Sequence, residues 1–258
     1  NLEDNELNLM QSGSVPSDAG VLAILSPKKD LSREDADAVK EFLNKGGKLI
    51  ATFDYGRDQL PNYESLFTDY GIKHINGLVL EGDQSHMYQS PVYIIPEEGE
   101  SVLTTSIRDK QLLNLFPQSS GFKAEISENE DFSVEEALIT TDSSYAKKEV
   151  TDTTTAERGA DDESGPFALV LFLSDENSGA KAALFGTSNI FVREIDDRVG
   201  GANIELFTNA VNNMVDRKVN TSIPPKSYDA SVLTVPFGSA LLLGLIFVLA
   251  LPLAILIS

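Results

Sequence analysis

Chemistry in this chain would have to come from few residues. There is no Cys, so thiolate catalysis, disulfides and cysteine metal sites are excluded. His74 and His86 are the only histidines. They stand twelve positions apart, without the i, i+4 relation that puts two imidazoles on one helix face, and no metal site is expected. A Ser–His–acid triad needs one of them beside a serine and a carboxylate, and no motif announces that. Ser188 lies in GTSNI, which lacks the second glycine of a G-x-S-x-G nucleophile elbow. Both histidines are therefore read as ordinary polar residues, and no catalytic residue or cofactor is expected. Gly46-Gly47-Lys48 lacks the spacing of a phosphate-binding loop and follows a helix pattern.

A weaker candidate set comes from the ends of apolar strands. In open α/β sheets, ligands bind beyond the carboxyl ends of the strands. Those ends carry Ser26, then Asp54 with Tyr55, then Thr187, Ser188 and Asn189. Their hydroxyl, carboxylate and amide groups can hydrogen-bond a sugar, peptide or lipid headgroup. The competing reading is that such residues simply cap and turn the chain.

The elements that must position them are legible in the periodicity. Gly20–Leu25 is a short apolar strand ended by Pro27. Ser32 is placed to cap a helix whose Ala36, Val39, Phe42 and Leu43 share one face, and Gly46-Gly47 ends it. Lys48–Phe53 is the next strand, giving a βαβ unit in a mostly parallel sheet. Asn62–Tyr70 reads as a helix, Ile72–Leu80 as a strand, Val92–Ile95 as a short strand and Val134–Thr141 as ending in one. Phe167–Leu173 and Ala180–Phe185 flank the turn sequence SDENSG and predict a hairpin at the end of the sheet. Asn203–Val215 carries the stripe of a core-facing helix. Between these, 142–165 is rich in Thr, Ser, Asp and Glu and is expected to be an exposed loop.

The last 28 residues, 231–258, contain no ionisable side chain. About 20 apolar residues span a bilayer core as a helix. A transmembrane helix is expected there, preceded by a linker over 217–230 that Pro224-Pro225 stiffens and by an α/β domain over 1–216. Gly238, Ser239, Ala240 and Gly244 are the small residues that would let another helix pack closely. A chain that starts at Asn1 and stops within apolar sequence is expected to be part of a longer polypeptide. The net charge of −20 lies outside this segment and disfavours nucleic acid as a partner.

The order of these pieces resembles the GldG-like family, auxiliary components of ABC-type transport systems. The matching stretches are VPSDAGVLAILSPKKDLSREDADAVKEFLNKGGKLIATFD, LPNYESLFTDYGIKHINGLVLEGD, SGPFALVLFL, AALFGTSNIFV, ANIELFTNAVNNMV and IPPKSYDASVLTVPFGSALLLGLIFVLALPLAIL. None is specific alone; their order covers nearly the whole chain. The resemblance implies a flavodoxin-like, class I glutamine-amidotransferase-like α/β fold with flanking helices. It also implies a bacterial location at the cell membrane, with the domain on the extracytoplasmic side. The implied partners are an ABC permease and ATP-binding subunits, with membrane lipid around the anchor. The function so implied is that of a non-enzymatic accessory subunit over the permease. The alternatives from the residues are a membrane-tethered ligand-binding or sensor domain, and a membrane-bound hydrolase using Ser188 and Asp54.

Overall fold

A computed structural model describes residues 5–56, 59–125, 132–148, 150 and 156–215. The chain divides into two units, Asn1–Lys218 and Val219–Ser258. The second, with the expected transmembrane helix and its Gly238, Ser239, Ala240 and Gly244, lies outside the described residues, as does the whole linker expected over 217–230. Among the described residues no helix is long and apolar enough to cross a membrane.

After the short helix α1 (Leu9–Ser12), strand β1 (Leu22–Ile24) leads into α2 (Arg33–Asn44). The Ser32 hydroxyl accepts from the Asp35 amide at 3.0 Å, and Glu34 and Asp35 sit in the first turn, where the helix dipole favours negative charge. Gly46, at φ +86°, provides the left-handed stop. The chain returns as β2 (Lys48–Thr52), parallel to β1, which completes the expected βαβ unit.

Helix α3 (Pro61–Thr68) starts on a proline, and Asn62 and Tyr63 donate their amides to the Asp30 carboxylate at 3.0 Å each. The stretch expected as one strand over 72–80 is two, β3 (Ile72–Ile75) and β4 (Leu78–Leu80), which enter different sheets. The break falls at Asn76-Gly77, where Lys147 of another strand approaches the glycine backbone too closely for an unstrained Cβ.

The middle of the chain supplies β5 (Met87–Tyr88), β6 (Ser90–Ile94), β7 (Glu97–Glu98), α4 (Thr105–Asp109), β8 (Phe116–Pro117), β9 (Gly121–Ala124) and β10 (Phe132–Ile139). The last third supplies β11 (Tyr145–Lys147), β12 (Glu163–Ser164), β13 (Ala168–Asp175), β14 (Lys181–Phe185), α5 (Arg193–Asp196) and α6 (Ala202–Met214).

The principal sheet runs β1-β2-β14-β13-β10-β7, with β9 joining β13 and β3 joining β9. It is parallel across β1, β2 and β14 and antiparallel at the other pairings, so the expected parallel character is confined to those three strands. The predicted hairpin is present as β13–β14. It does not lie at the end of the sheet: β14 pairs with β2 on its other side and places the hairpin in the middle. This position explains why every residue from Ala168 to Leu173 is buried. A strand covered on both faces loses its alternation of polar and apolar residues.

Two layers of helix cover the sheet. On one face Ala36, Val39 and Leu43 of α2 and Tyr63, Leu66 and Phe67 of α3 pack on Leu49, Ala51, Leu171 and Leu184. On the other, Leu206, Ala210 and Met214 of α6 and Ile107 of α4 pack on Ile50, Val170, Phe172 and Phe185. The result is a mixed α/β, helix–sheet–helix architecture.

The polar stretch 142–165 departs from its expectation as an exposed loop. It holds β11, whose Tyr145, Ala146 and Lys147 are buried, and β12, which pairs with it. Lys147 is kept in that buried position by Asp162, which accepts from its ammonium at 2.7 Å.

Candidate functional site at the strand ends

The three parallel strands end side by side. Beyond β2 the Asp54 carboxylate accepts from the Ser188 amide at 2.5 Å and from the Ser188 hydroxyl at 2.8 Å, across 134 residues of sequence. Asp54 also bridges Ser119 as an isolated antiparallel pair. On the opposite side of β2, the Ser26 amide donates to the Thr52 hydroxyl at 2.7 Å, and Ser26 has a left-handed φ of +49°. Thr187 is fully buried and its hydroxyl accepts from the Asn189 amide at 3.1 Å. The Asn189 side chain faces the Pro117 carbonyl at 3.5 Å. Tyr55 belongs elsewhere, packing beside Leu78, Leu80 and Tyr145. Of the six expected ligand-binding residues, the structure joins Asp54 with Ser188 directly, sets Ser26, Thr187 and Asn189 in local turns around them, and removes Tyr55.

A crevice beside the ends of β1 and β2 is nearly filled. Its free volume is about 10 Å³, lined by Thr52, Phe53, Asp54, Glu64 and His74 among others. That is about the room one water needs. The Tyr63 hydroxyl lies 3.1 Å from the Thr52 carbonyl and 3.4 Å from that of Ile24, tying α3 to the ends of β1 and β2. Burial, and next the Asp54 charge, push the Tyr63 phenol up, so it remains a neutral donor.

One array in this region has no trace in the sequence spacing. His74 Nδ1 is 3.1 Å from Glu64 Oε1, and its Nε2 is 3.0 Å from Ser120 Oγ. Acid, imidazole and hydroxyl stand in the order of a catalytic relay. The hydroxyl, however, is already engaged elsewhere. Ser120 Oγ is fully buried, 2.6 Å from the Phe53 carbonyl and 3.1 Å from that of Gly186. A hydroxyl has one proton. With two backbone carbonyls within reach that proton is engaged by the backbone, which leaves none to be drawn toward the imidazole. A nucleophile needs its proton drawn toward the imidazole. The array is a joint that fixes β3 against the ends of β2 and β14. The His74 ring is held further by Phe53 and Phe122, at centroid distances of 4.8 and 5.9 Å. Gly186 belongs to the same joint, since a Cβ there would collide with the Ser120 carbonyl and the Ser119 hydroxyl.

His86, the other histidine, faces the Ile95 carbonyl at 3.1 Å and Glu97 at 3.6 Å, far from any such array in sequence. Among the described residues no group of three His, Asp or Glu side chains is placed to hold a metal ion. A second buried polar joint also escaped the sequence reading. The buried Glu81 carboxylate accepts from the Gly82, Asp83 and Thr141 amides at 2.8–3.1 Å and from the Thr141 hydroxyl at 2.6 Å.

No protein-family model and no curated protein sequence matches the chain. Among solved structures it is similar to the mmIFT52 N-terminal domain, at 13% identity and TM-score 0.57, over 78% of this chain and 79% of that one. This likeness shows a shared fold. Two others match at lower scores. One is a putative ThuA-like protein from Bacteroides uniformis, at 17% identity and TM-score 0.37 over 77% of this chain and 70% of that one. The other is the cytoplasmic protein STM3548 from Salmonella typhimurium, at 12% identity and TM-score 0.38 over 75% and 70%.

Proposed function

We propose that the chain is a non-enzymatic accessory subunit of an ABC-type transport system, anchored by residues 231–258, with its flavodoxin-like domain on the extracytoplasmic side above a permease. The observation that carries this reading is the 28-residue run without an ionisable side chain beside an acidic α/β domain. One Asp or Lys at mid-bilayer costs about 2.5–3.5 kcal/mol on insertion scales, so such a run is selected against charge over its whole length. The resemblance in motif order to GldG-like proteins supplies the transport system. The mutual bonding of Asp54 and Ser188 supports the non-enzymatic part, because the groups a hydrolase would use are each other's partners. Gly238, Ser239, Ala240 and Gly244 would face permease helices.

The test is purification of the tagged chain from native membranes in mild detergent, with quantitative mass spectrometry of what accompanies it. A polytopic permease and an ATPase bearing a phosphate-binding loop are expected in near-stoichiometric amounts. Recovery of the chain without either defeats the proposal.

A further inference from the structure

The open volume near the sheet lies beside the strand ends, not between them. A groove of about 430 Å³ is lined by Gln59, Lys73, His74, Ile75, Asn76, Lys148 and Glu163. This is within the size of small-molecule sites, about 300–1,000 Å³. Its wall is rigid where it matters. His74 is only 9% exposed at its side chain and is held from both ring nitrogens. Strand β3, which carries Lys73, His74 and Ile75, is paired residue by residue with β9.

The charge of this groove runs against that of the chain. Lys73 and Lys148 line it against the carboxylate of Glu163, with Lys123 on the neighbouring strand bonded to Glu163 and Glu64 bonded to His74. The chain as a whole carries −20. Glu163 shows what two of these lysines bind: its Oε1 accepts from Lys123 at 3.1 Å and lies 3.6 Å from Lys73. Burial alone would raise the Glu163 carboxyl, but the Lys123 bond and the charges of Lys123 and Lys73 outweigh it and hold the group below its ordinary range. Gln59 and Asn76 add amide donors and acceptors, which suit hydroxyl groups.

We propose that this groove binds a small hydroxylated carboxylic acid, with its carboxylate against Lys73 and Lys148 and its hydroxyls on Gln59 and Asn76. The inference does not rest on the transport reading, since it is tested on the purified chain alone. The experiment is isothermal titration calorimetry of the intact chain in a polyoxyethylene detergent, with glucuronate as probe and glucose as its uncharged counterpart. Glucuronate is expected to give saturable heat with a dissociation constant in the millimolar range or tighter, and glucose none. The double variant Lys73→Gln, Lys148→Gln is expected to weaken glucuronate at least about tenfold, the worth of one charge-assisted hydrogen bond, with the urea midpoint of unfolding unchanged. Equal binding of glucose, absence of saturable heat with glucuronate, or full affinity in the double variant would each overturn the proposal.

Discussion

The ends of β2 and β14 and the groove beside β3 share the neighbours His74 and Asn76 and differ in how their polar groups are engaged. At the strand ends the polar groups are paired with one another: Asp54 with Ser188, Thr52 with Ser26, Ser120 with two backbone carbonyls. In the groove Lys73, Lys148 and Glu163 line open volume, although Glu163 is also held by Lys123 and Lys73. The rule that open α/β sheets bind ligands at their strand ends therefore points to the right edge of this molecule but not to the space itself. The antiparallel arm β3–β9 and the pair β11–β12 displace the usable volume sideways. The loss of parallel character beyond β14 is the cause, because it brings β9 and β3 up to the strand ends.

This contrast is best broken at His74. His74→Ala removes a ring packed against Phe53 and Phe122 and strips Glu64 and Ser120 of a partner. A loss of about 3 kcal/mol is expected from urea unfolding of the intact chain in non-ionic detergent, followed by circular dichroism. Asp54→Ala leaves two Ser188 donors without their acceptor and is expected to cost about 1.5–3 kcal/mol in the same assay. Ser188→Ala keeps the amide bond and loses only the hydroxyl, so about 1 kcal/mol is expected. On the groove side Lys73→Gln and Lys148→Gln are expected to move stability by less than about 0.5 kcal/mol each. A large loss there would mean that the lysines hold the fold, as the strand-end groups do.

The groove also has a pH signature of definite sign. The Glu163 carboxyl is lowered in the folded chain, so its contribution is complete above the unfolded value and is lost as pH falls through the folded one. Between about pH 6 and pH 3 the urea midpoint of Glu163→Gln should therefore fall less than that of the parent. Equal slopes would remove Glu163 from the account of the lysines.

Much of the frame was legible because it is local. Ser32 caps α2 three residues before the amide it receives, and SDENSG turns β13 into β14. What was not legible depends on pairings across long stretches of chain. The sequence offered β14 as half of a hairpin but could not show that its other edge meets β2. Asp54 and Ser188 were picked out separately as strand-end residues, while the bond between them needed the parallel register of β2 with β14. Glu64, His74 and Ser120 sit on three elements with no shared spacing, so no local pattern could announce them. Tyr145–Lys147 reads as loop because its neighbours are polar, yet Lys147 is buried against Asp162 and the Glu157 carbonyl. A charge in that position is tolerated only with such partners.

The claim that the strand ends are a self-satisfied joint is tested most directly by a double-mutant cycle on Asp54→Ala and Ser188→Ala, with urea unfolding as the readout. The Ser188 hydroxyl–Asp54 bond, which the cycle isolates, predicts a coupling energy of about 1 kcal/mol. Additive losses, with coupling near zero, would contradict it and return both side chains to the pool of groups available to a ligand.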